Sequence, residues 1–359
     1  MKRYLHPLDN ANITLWEKIC SMENLQLAHQ NAKDGKGWYK EVKMIDADLD
    51  HYLKQLQTML LLKTYHTSDY ENFFKKEGNK IRLLSKLPYF PDRICHWAII
   101  QVIEPILIKK MIANTYSAIP DRGIHRCLHD VQAAMQNDVK GCQYCLMLDV
   151  RKYYQSINHD ILKQTYRRIF KDKDLIWLLD EIIDSTPGDT GVPIGNYISQ
   201  YSGNIYLTEF DHWIKEVKKV KHYYRYMDDV RIFAETKEEL HRLFLEIKEF
   251  YAIKLKLTIK DNWQIFPTYK RGIDFVGYRS FLEYTLLRKS TCISFKNKMV
   301  KINRKRLEGK PLNHSEWCSI NSYYGWLKHC DSFRLCQKYL EPLKQYANAY
   351  YITNIKRKG

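Results

Sequence analysis

The stretch Tyr223-Tyr224-Arg225-Tyr226-Met227-Asp228-Asp229-Val230-Arg231-Ile232-Phe233-Ala234 decides the fold. Two β-prone runs, Tyr223–Met227 and Val230–Ala234, are separated only by two acids, which predicts a hairpin with Asp228 and Asp229 at its tip. Turns favour Asp for local reasons, so this pair needs its neighbours to carry meaning. Upstream, Tyr144-Cys145-Leu146-Met147-Leu148-Asp149-Val150 is a short apolar run ending in a third acid, the pattern of a buried strand that delivers a carboxylate at its end. Carboxylates gathered from neighbouring strands repel one another unless a divalent cation neutralises them, and hard oxygen donors select Mg²⁺ or Mn²⁺. Two such ions serve an in-line phosphoryl displacement, one activating the attacking oxygen and one stabilising the leaving oxygen.

The charge of the whole chain points the same way. Its 359 residues carry 58 Lys+Arg against 41 Asp+Glu, a formal net charge of +17. A charge that far from zero favours a polyanionic partner, either nucleic acid or an anionic membrane surface. Hydrophobic residues at 45% and charged residues at 28% exclude a disordered chain and allow a sizeable core. The apolar runs, such as Met59–Leu62 and Trp97–Ile100, are short and fall far below the roughly 18 residues of a membrane span. The segment Met1-Lys2-Arg3-Tyr4-Leu5-His6-Pro7 lacks the apolar stretch of a secretory signal, so the expected location is cytoplasmic and no membrane is expected as partner. Nine scattered cysteines, an odd number, read as reduced thiols. Cys142 and Cys145 form a single C-x-x-C without a second pair, and His125 and His129 lie four apart without the Glu of a metalloprotease motif. The cysteines read as strand residues and the histidines as structural or phosphate-facing.

Working outward from the hairpin, the first 65 or so residues show helical spacing, with a polar break at Asp34-Gly35-Lys36-Gly37. Lys80–Leu84 is a basic strand that stops at Pro88, Asp92 to about Asn114 is helical, and Gly123 leads into a helix over Ile124–Met135. Asn158 is an N-cap for a helix through Phe170, followed by helices over Asp174–Asp184 and Ser199–Trp213. Beyond the hairpin come a helix over Glu238–Tyr251, strands around Leu255–Ile259 and Ile273–Arg279, and about 70 helical, basic residues. This is an α+β order, an antiparallel sheet backed by helices.

These motifs resemble those of reverse transcriptases. Tyr226-Met227-Asp228-Asp229 is similar to their catalytic box, Asp149-Val150-Arg151-Lys152-Tyr153-Tyr154 to their first palm motif, and Phe275-Val276-Gly277-Tyr278 to their primer-grip turn, in the same order. The resemblance covers roughly Leu25 to Tyr339 and implies a right-hand polymerase fold. The implied parts are an N-terminal helical extension (1–65), fingers (66–140), a palm (141–285) with a helical insertion near 158–190, and a basic helical thumb (286–359). It further implies that Asp149, Asp228 and Asp229 bind two Mg²⁺ ions, with Mn²⁺ an alternative and the Val150 carbonyl a further ligand. The implied reaction is attack of a primer 3′-hydroxyl on a deoxynucleoside triphosphate, and the implied partners are template RNA and the RNA/DNA hybrid duplex. Tyr154 matches the aromatic steric gate, a ring that leaves no room for a 2′-hydroxyl. Lys80 and Arg82 correspond to the fingers residues that hold the triphosphate, with Lys86 an alternative because the segment up to Arg93 holds an extra residue. Lys260 is a candidate proton donor to pyrophosphate, although relatives more often carry that lysine at the position of Asn262. Gly277 and Tyr278 form the primer grip. Lys298, Lys301 and Lys305 share one helical face, which in a thumb tracks duplex phosphates.

One segment narrows the resemblance. Gly191-Val192-Pro193-Ile194-Gly195-Asn196-Tyr197-Ile198-Ser199-Gln200 has Ile194 where most reverse transcriptases have Gln, and Gln200 where most have Pro. It is similar to the reverse transcriptases of diversity-generating retroelements, as are Gly123-Ile124-His125-Arg126 and Ser322-Tyr323-Tyr324-Gly325-Trp326-Leu327-Lys328-His329. Gly195 permits close backbone approach to the nascent base pair, which brings Ile194 to the templating base or the incoming nucleotide, and the resemblance implies that Gly195, Ser199 and Gln200 belong to the same nucleotide site. Ile can only pack where Gln would hydrogen-bond, and selection built on hydrogen bonding collapses when the polar partner is lost. The resemblance therefore implies errors at template adenines, mutagenic retrohoming, and a small basic oligomeric accessory protein. A retron-type or antiviral-defence reverse transcriptase of normal fidelity, and an inactive RNA-binding scaffold, are the alternative readings.

Overall fold

A computed structural model of the chain describes residues 13–77 and 80–355. Four helices open it, α1 (Leu15–Cys20), α2 (Met22–Lys33), α3 (Lys40–Ala47) and α4 (Leu49–Leu61). They are followed by strands β1 (Glu71–Glu77) and β2 (Lys80–Lys86), then α5 (Ile94–Lys110) and α6 (Ile124–Asn137). Strand β3 (Tyr144–Leu148) leads into α7 (Tyr153–Ser156), α8 (His159–Ile169), α9 (Lys173–Asp184), α10 (Tyr197–Tyr206) and α11 (Thr208–His212). Strands β4 (His222–Tyr226) and β5 (Asp229–Ala234) precede α12 (Lys237–Lys254), β6 (Gln264–Pro267) and α13 (Thr268–Arg271). The chain closes with β7 (Ile273–Phe275), β8 (Tyr278–Ser280) and β9 (Thr285–Leu287), then α14 (Lys289–Leu307), α15 (His314–Leu327), α16 (Phe333–Leu335) and α17 (Lys344–Asn354). No described helix is long and apolar enough to cross a membrane.

A four-stranded sheet of order β4-β5-β3-β6 sets the two acid-bearing segments side by side, and β3 pairs antiparallel with β6 from Tyr144↔Pro267 to Met147↔Gln264. A separate antiparallel pair, β1-β2, runs in register from Glu71↔Lys86 to Glu77↔Lys80, and β7-β8-β9 form a third, antiparallel sheet. The chain divides into two compact units. The first comprises the residues up to Asp121, Leu148–Val230 and Arg242–Trp263; the second comprises Arg122–Met147, Arg231–His241 and the residues from Gln264 on.

In the first unit α2 packs on α5, burying Leu25, Ala28, Ile99 and Ile103. Asn24 satisfies the backbone there, its amide donating to the carbonyls of Ile19 and Ala98 at 3.0 Å each. That is how a buried amide avoids a desolvation cost. In the second unit Tyr278, Phe295, Met299, Ile302, Leu327 and Leu343 share one core. All nine cysteines are free, with Cys142 and Cys145 buried at and just before β3.

Three sequence expectations change. The hairpin turn is Met227-Asp228, and Asp229 is already the first residue of β5, so only one acid sits at the tip. Met227 adopts φ 59°, which turns the chain one residue earlier than strand propensity predicts. The strand expected over Leu255–Ile259 reduces to a single bridge, Val150↔Ile259. Its alternate residues Leu255, Leu257 and Ile259 are buried as a strand's would be, but Lys256 at φ 51° interrupts the extended backbone. The strand expected over Ile273–Arg279 is the hairpin β7-β8, reversed at Val276 and Gly277 with φ 43° and 88°.

The N-cap at Asn158 is observed, its side chain accepting from the Ile161 N–H at 3.2 Å. Asn158→Ala is expected to cost about 1 kcal/mol of stability, read as a lower urea midpoint; an unchanged midpoint would show that the cap does not fix the start of α8.

Candidate active site

The hairpin that bears Asp228 is held from below by a buried ion pair. Arg225 and Asp211 are both fully buried. The Arg225 guanidinium grips the Asp211 carboxylate with both prongs, Nε to Oδ1 at 2.7 Å and Nη2 to Oδ2 at 2.5 Å, and the Tyr223 hydroxyl donates to the same Oδ1 at 2.5 Å. An isolated charge there would cost several kcal/mol of desolvation, which planar bidentate pairing offsets. The remaining donor, Nη1, reaches the Met227 carbonyl at 2.8 Å. It therefore fixes the left-handed turn residue immediately before Asp228. Backbone bonds from Arg225 N–H to the Asn114 carbonyl and from Tyr116 N–H to the Arg225 carbonyl anchor the strand on its other side.

Asp149 follows β3 and meets Asp228 side chain to side chain. Burial, then the hydrogen bond and the charge of Asp149, push the Asp228 carboxyl up to about 7. Lys260 pairs with Asp149 Oδ2, and its N–H donates to the Asp149 carbonyl at 2.9 Å. Two hard carboxylates close enough to share a proton, with an ammonium on one of them, are a donor set that calls for added positive charge and suits a divalent cation. Asp229 is half-buried at the start of β5. Among the described residues no group of three or more His, Cys, Asp or Glu side chains is gathered to hold a metal. The structure thus brings two of the three expected acids together. Val150 is buried and bridged to Ile259, and of the two candidate proton-donor positions it is Lys260 that pairs with Asp149.

Of the residues expected to meet the nucleotide, Tyr154 stands beside the acids. Tyr154 is half-buried, its hydroxyl 3.5 Å from Met227 Sδ and close enough to Asp228 and Arg82 for both charges to bear on it. Gly203 on α10 makes this packing possible, because a Cβ there would lie 3.1 Å from Met227 Sδ and 3.4 Å from both the Tyr153 and Tyr154 rings. Gly195, at φ 130°, is required for a different reason from the expected one. A Cβ there would meet the Ser85 carbonyl at 2.6 Å, and the Ser85 N–H donates to the Ile194 carbonyl at 3.0 Å. The close approach is to strand β2, which ties Ile194 to the β1-β2 ribbon. Ser199 is buried with its hydroxyl lacking a hydrogen-bond partner, and Gln200 is exposed. Arg82 is exposed on β2, whereas Lys86 lies 3.7 Å from Glu71 and 4.0 Å from Glu41. The Lys80 side chain lies outside the described residues.

Residues 74–280 match the family model of reverse transcriptase (RNA-dependent DNA polymerase). The chain belongs to the reverse transcriptase family. Protein YkfC of Escherichia coli K12 is 25% identical over 249 residues, 58% of this chain and 65% of that protein. The putative COX1/OXI3 intron 1 protein of Saccharomyces cerevisiae is 22% identical over 175 residues, 46% of this chain and 20% of that protein. This reverse transcriptase family member thus spans less than two thirds of the length of either relative. Apo telomerase from Candida tropicalis superposes with a TM-score of 0.50 at 12% identity over 85% of this chain and 63% of that one. At that identity the likeness shows the polymerase fold alone.

In the second unit of this family member, Gly277 closes the β7-β8 turn and Tyr278 opens β8, the two positions expected for the primer grip. A Cβ on Gly277 would lie 2.4 Å from Trp326, on which the Tyr278 ring stacks at 5.2 Å. Of the three α14 lysines, Lys301 is exposed, while Lys305 pairs with Glu316 at 2.9 Å and Lys298 bears on the same carboxylate. The shared face is real, but two of its charges are engaged with an acid from α15. Sequence reasoning missed the Arg225–Asp211 pair, although an arginine inside an otherwise aromatic strand was its signal, and missed Gly203, which nothing local marks; it singled out the stretch that holds Trp326 but not its packing on Gly277.

Arg225→Met leaves Asp211 buried without its cation and is expected to cost about 3–5 kcal/mol. Adding Asp211→Leu should restore most of the thermal stability; if the double variant is as unstable as the single one, the charge pairing is not what the arginine supplies. A second expectation concerns pH. The folded chain holds the Asp228 proton above its ordinary value of 3.8, up to about 7, so without divalent cation stability falls as pH rises through that window. Asp228→Asn should flatten this fall in thermal unfolding temperature against pH, and parallel slopes would contradict it.

Proposed function

We propose that the chain is an RNA-directed DNA polymerase that copies template RNA into cDNA. The observation that carries this reading is the meeting of the Asp149 and Asp228 carboxyls beside Tyr154, within a chain of the reverse transcriptase family. Residues 66–140 serve as fingers, 141–285 as palm with a helical insertion near 158–190, and 286–359 as thumb, behind a helical extension over 1–65. Asp149 and Asp228, joined by Asp229 on substrate binding, hold divalent cation, Mg²⁺ or Mn²⁺, with the Val150 carbonyl available beside them. When bound, the cation neutralises these acids and supplies the positive charge that lowers the barrier to attack of a primer 3′-hydroxyl on the α-phosphate, with pyrophosphate leaving. Arg82, with Lys80, meets the triphosphate by charge-assisted hydrogen bonds. Tyr154, braced by Met227 and Gly203, closes the space a 2′-hydroxyl would need. Lys260, paired with Asp149, would be the proton donor to the leaving pyrophosphate. Gly277 and Tyr278 position the primer end, and Lys301, with Lys298 and Lys305 when released from Glu316, follows duplex phosphates.

The finer reading is a reverse transcriptase of a diversity-generating retroelement, error-prone at template adenines and working in the cytoplasm with a small basic accessory protein. Its support is Ile194, held through its carbonyl by Ser85 of β2, so that an apolar side chain stands where a hydrogen-bonding Gln would help select the incoming base. The test is extension of a DNA primer on a defined RNA by the purified chain with Mg²⁺, followed by sequencing of the cDNA. Errors are expected to concentrate at template adenines and to fall about tenfold or more in Ile194→Gln. Accurate copying of adenines by the wild-type chain would overturn the finer reading while leaving the polymerase.

A further inference from the structure

Two segments that the catalytic reading leaves unused meet in the second unit. His125 stands in the first turn of α6 and His329 follows α15, some 200 residues later, yet their rings stack face to face, centroids 3.7 Å apart and 18° from parallel. His129, one turn along α6, bonds through Nε2 to His329 Nδ1 at 3.0 Å. His125 also sets its edge against both Tyr278 and Trp326, with centroids at 6.1 and 6.3 Å. Trp326 is the ring that excludes a side chain from Gly277, and its carbonyl accepts from the Tyr278 hydroxyl at 2.9 Å.

We propose that His125, His129 and His329 form a clasp that opens when neighbouring rings are protonated together, and that it seats Trp326 beneath the Val276-Gly277 turn that precedes Tyr278, making the three histidines positioning residues for the primer 3′ end. This inference rests on the primer-grip reading of that turn.

The chemistry forbids joint protonation at two points. A bond between two imidazole nitrogens needs one donor and one acceptor, so it fails once both rings carry their second proton. Two stacked imidazolium rings at 3.7 Å would oppose each other in a partly buried place. Burial lowers the proton affinity of His125 and His329, and His129 and Lys328 lower it further. The other charged groups on the surrounding elements are engaged elsewhere. Arg126 and Asp130 pair with each other on α6 at 2.9 Å, Arg279 of β8 lies 4.0 Å from Asp274, and Asp331 accepts from the Thr285 N–H at 2.8 Å. The Tyr278 hydroxyl is held protonated by burial. For groups with depressed folded values, the stabilisation is complete above their ordinary value of 6.5 and is lost as pH falls below it.

The test uses the full chain with Mg²⁺, a DNA primer annealed to RNA, and separate measurement of kcat and of KM for primer-template between about pH 5.5 and about pH 8. In the wild type, KM is expected to rise on the acid side, by up to about tenfold per pH unit while one imidazole titrates. His125→Phe keeps an aromatic ring that cannot be protonated and should flatten that rise. A wild-type KM profile in His125→Phe overturns the clasp. His129 is exposed, so His129→Ala tests the same idea without disturbing the core: loss of one hydrogen bond should raise KM about threefold at neutral pH, and wild-type KM at every pH overturns the proposal. Gly277→Ala separates the two layers. If it raises KM while the histidine variants do not, the clasp fails alone; if it leaves KM unchanged, the primer-grip reading fails and takes the clasp with it.

Discussion

The candidate site depends on one buried interaction, the grip of Arg225 on Asp211. A guanidinium in the core is tolerated only because a carboxylate meets it in bidentate geometry and a tyrosine hydroxyl shares the load on Asp211. Once paired, it has a donor left, and that donor holds the carbonyl of Met227. The left-handed turn at Met227 is therefore an imposed conformation, and the imposition aims Asp228 at Asp149 instead of letting the two like charges move apart. Hydrophobic packing alone is non-directional and would not select this turn over a slipped one.

A second constraint ties the β1-β2 ribbon to the Ile194-Gly195 segment. Ser85 sits on β2, its N–H donates to the Ile194 carbonyl, and its own carbonyl leaves no space for a side chain on Gly195. Ile194 is thereby held to β2 by a backbone bond.

Much of this was legible in the sequence, for reasons that differ by element. The run Tyr144–Leu148 ending in an acid, the Asn158 cap, and the β-prone segments around Asp228-Asp229 are local signals, and local physics decides them. The turn at Met227-Asp228 was misplaced by one residue because strand propensity knows nothing of a donor supplied from beneath the hairpin. Leu255–Ile259 alternates like a strand and is buried like one, yet Lys256 breaks it, since burial of alternate residues does not require a complete ladder. The packing of Gly203, of Trp326 on Gly277, and of the histidine stack is a product of tertiary approach across long sequence separations, so the sequence marks His125, His129 and Trp326 without showing that they meet. The net charge of +17 pointed to a polyanion, but it concealed how far lysines such as Lys305 and Lys86 are already paired.

The central claim is that Asp228, held against Asp149, is part of a cation-binding polymerase centre. Its most direct test is DNA synthesis on an RNA template by the purified chain and by Asp228→Asn, with both shown to be folded by thermal unfolding. The account predicts cation-dependent primer extension by the wild type and a loss of at least about a thousandfold in the variant. Extension by the variant at the wild-type rate, or none by the folded wild type on a primed RNA template with Mg²⁺ or Mn²⁺, would contradict it.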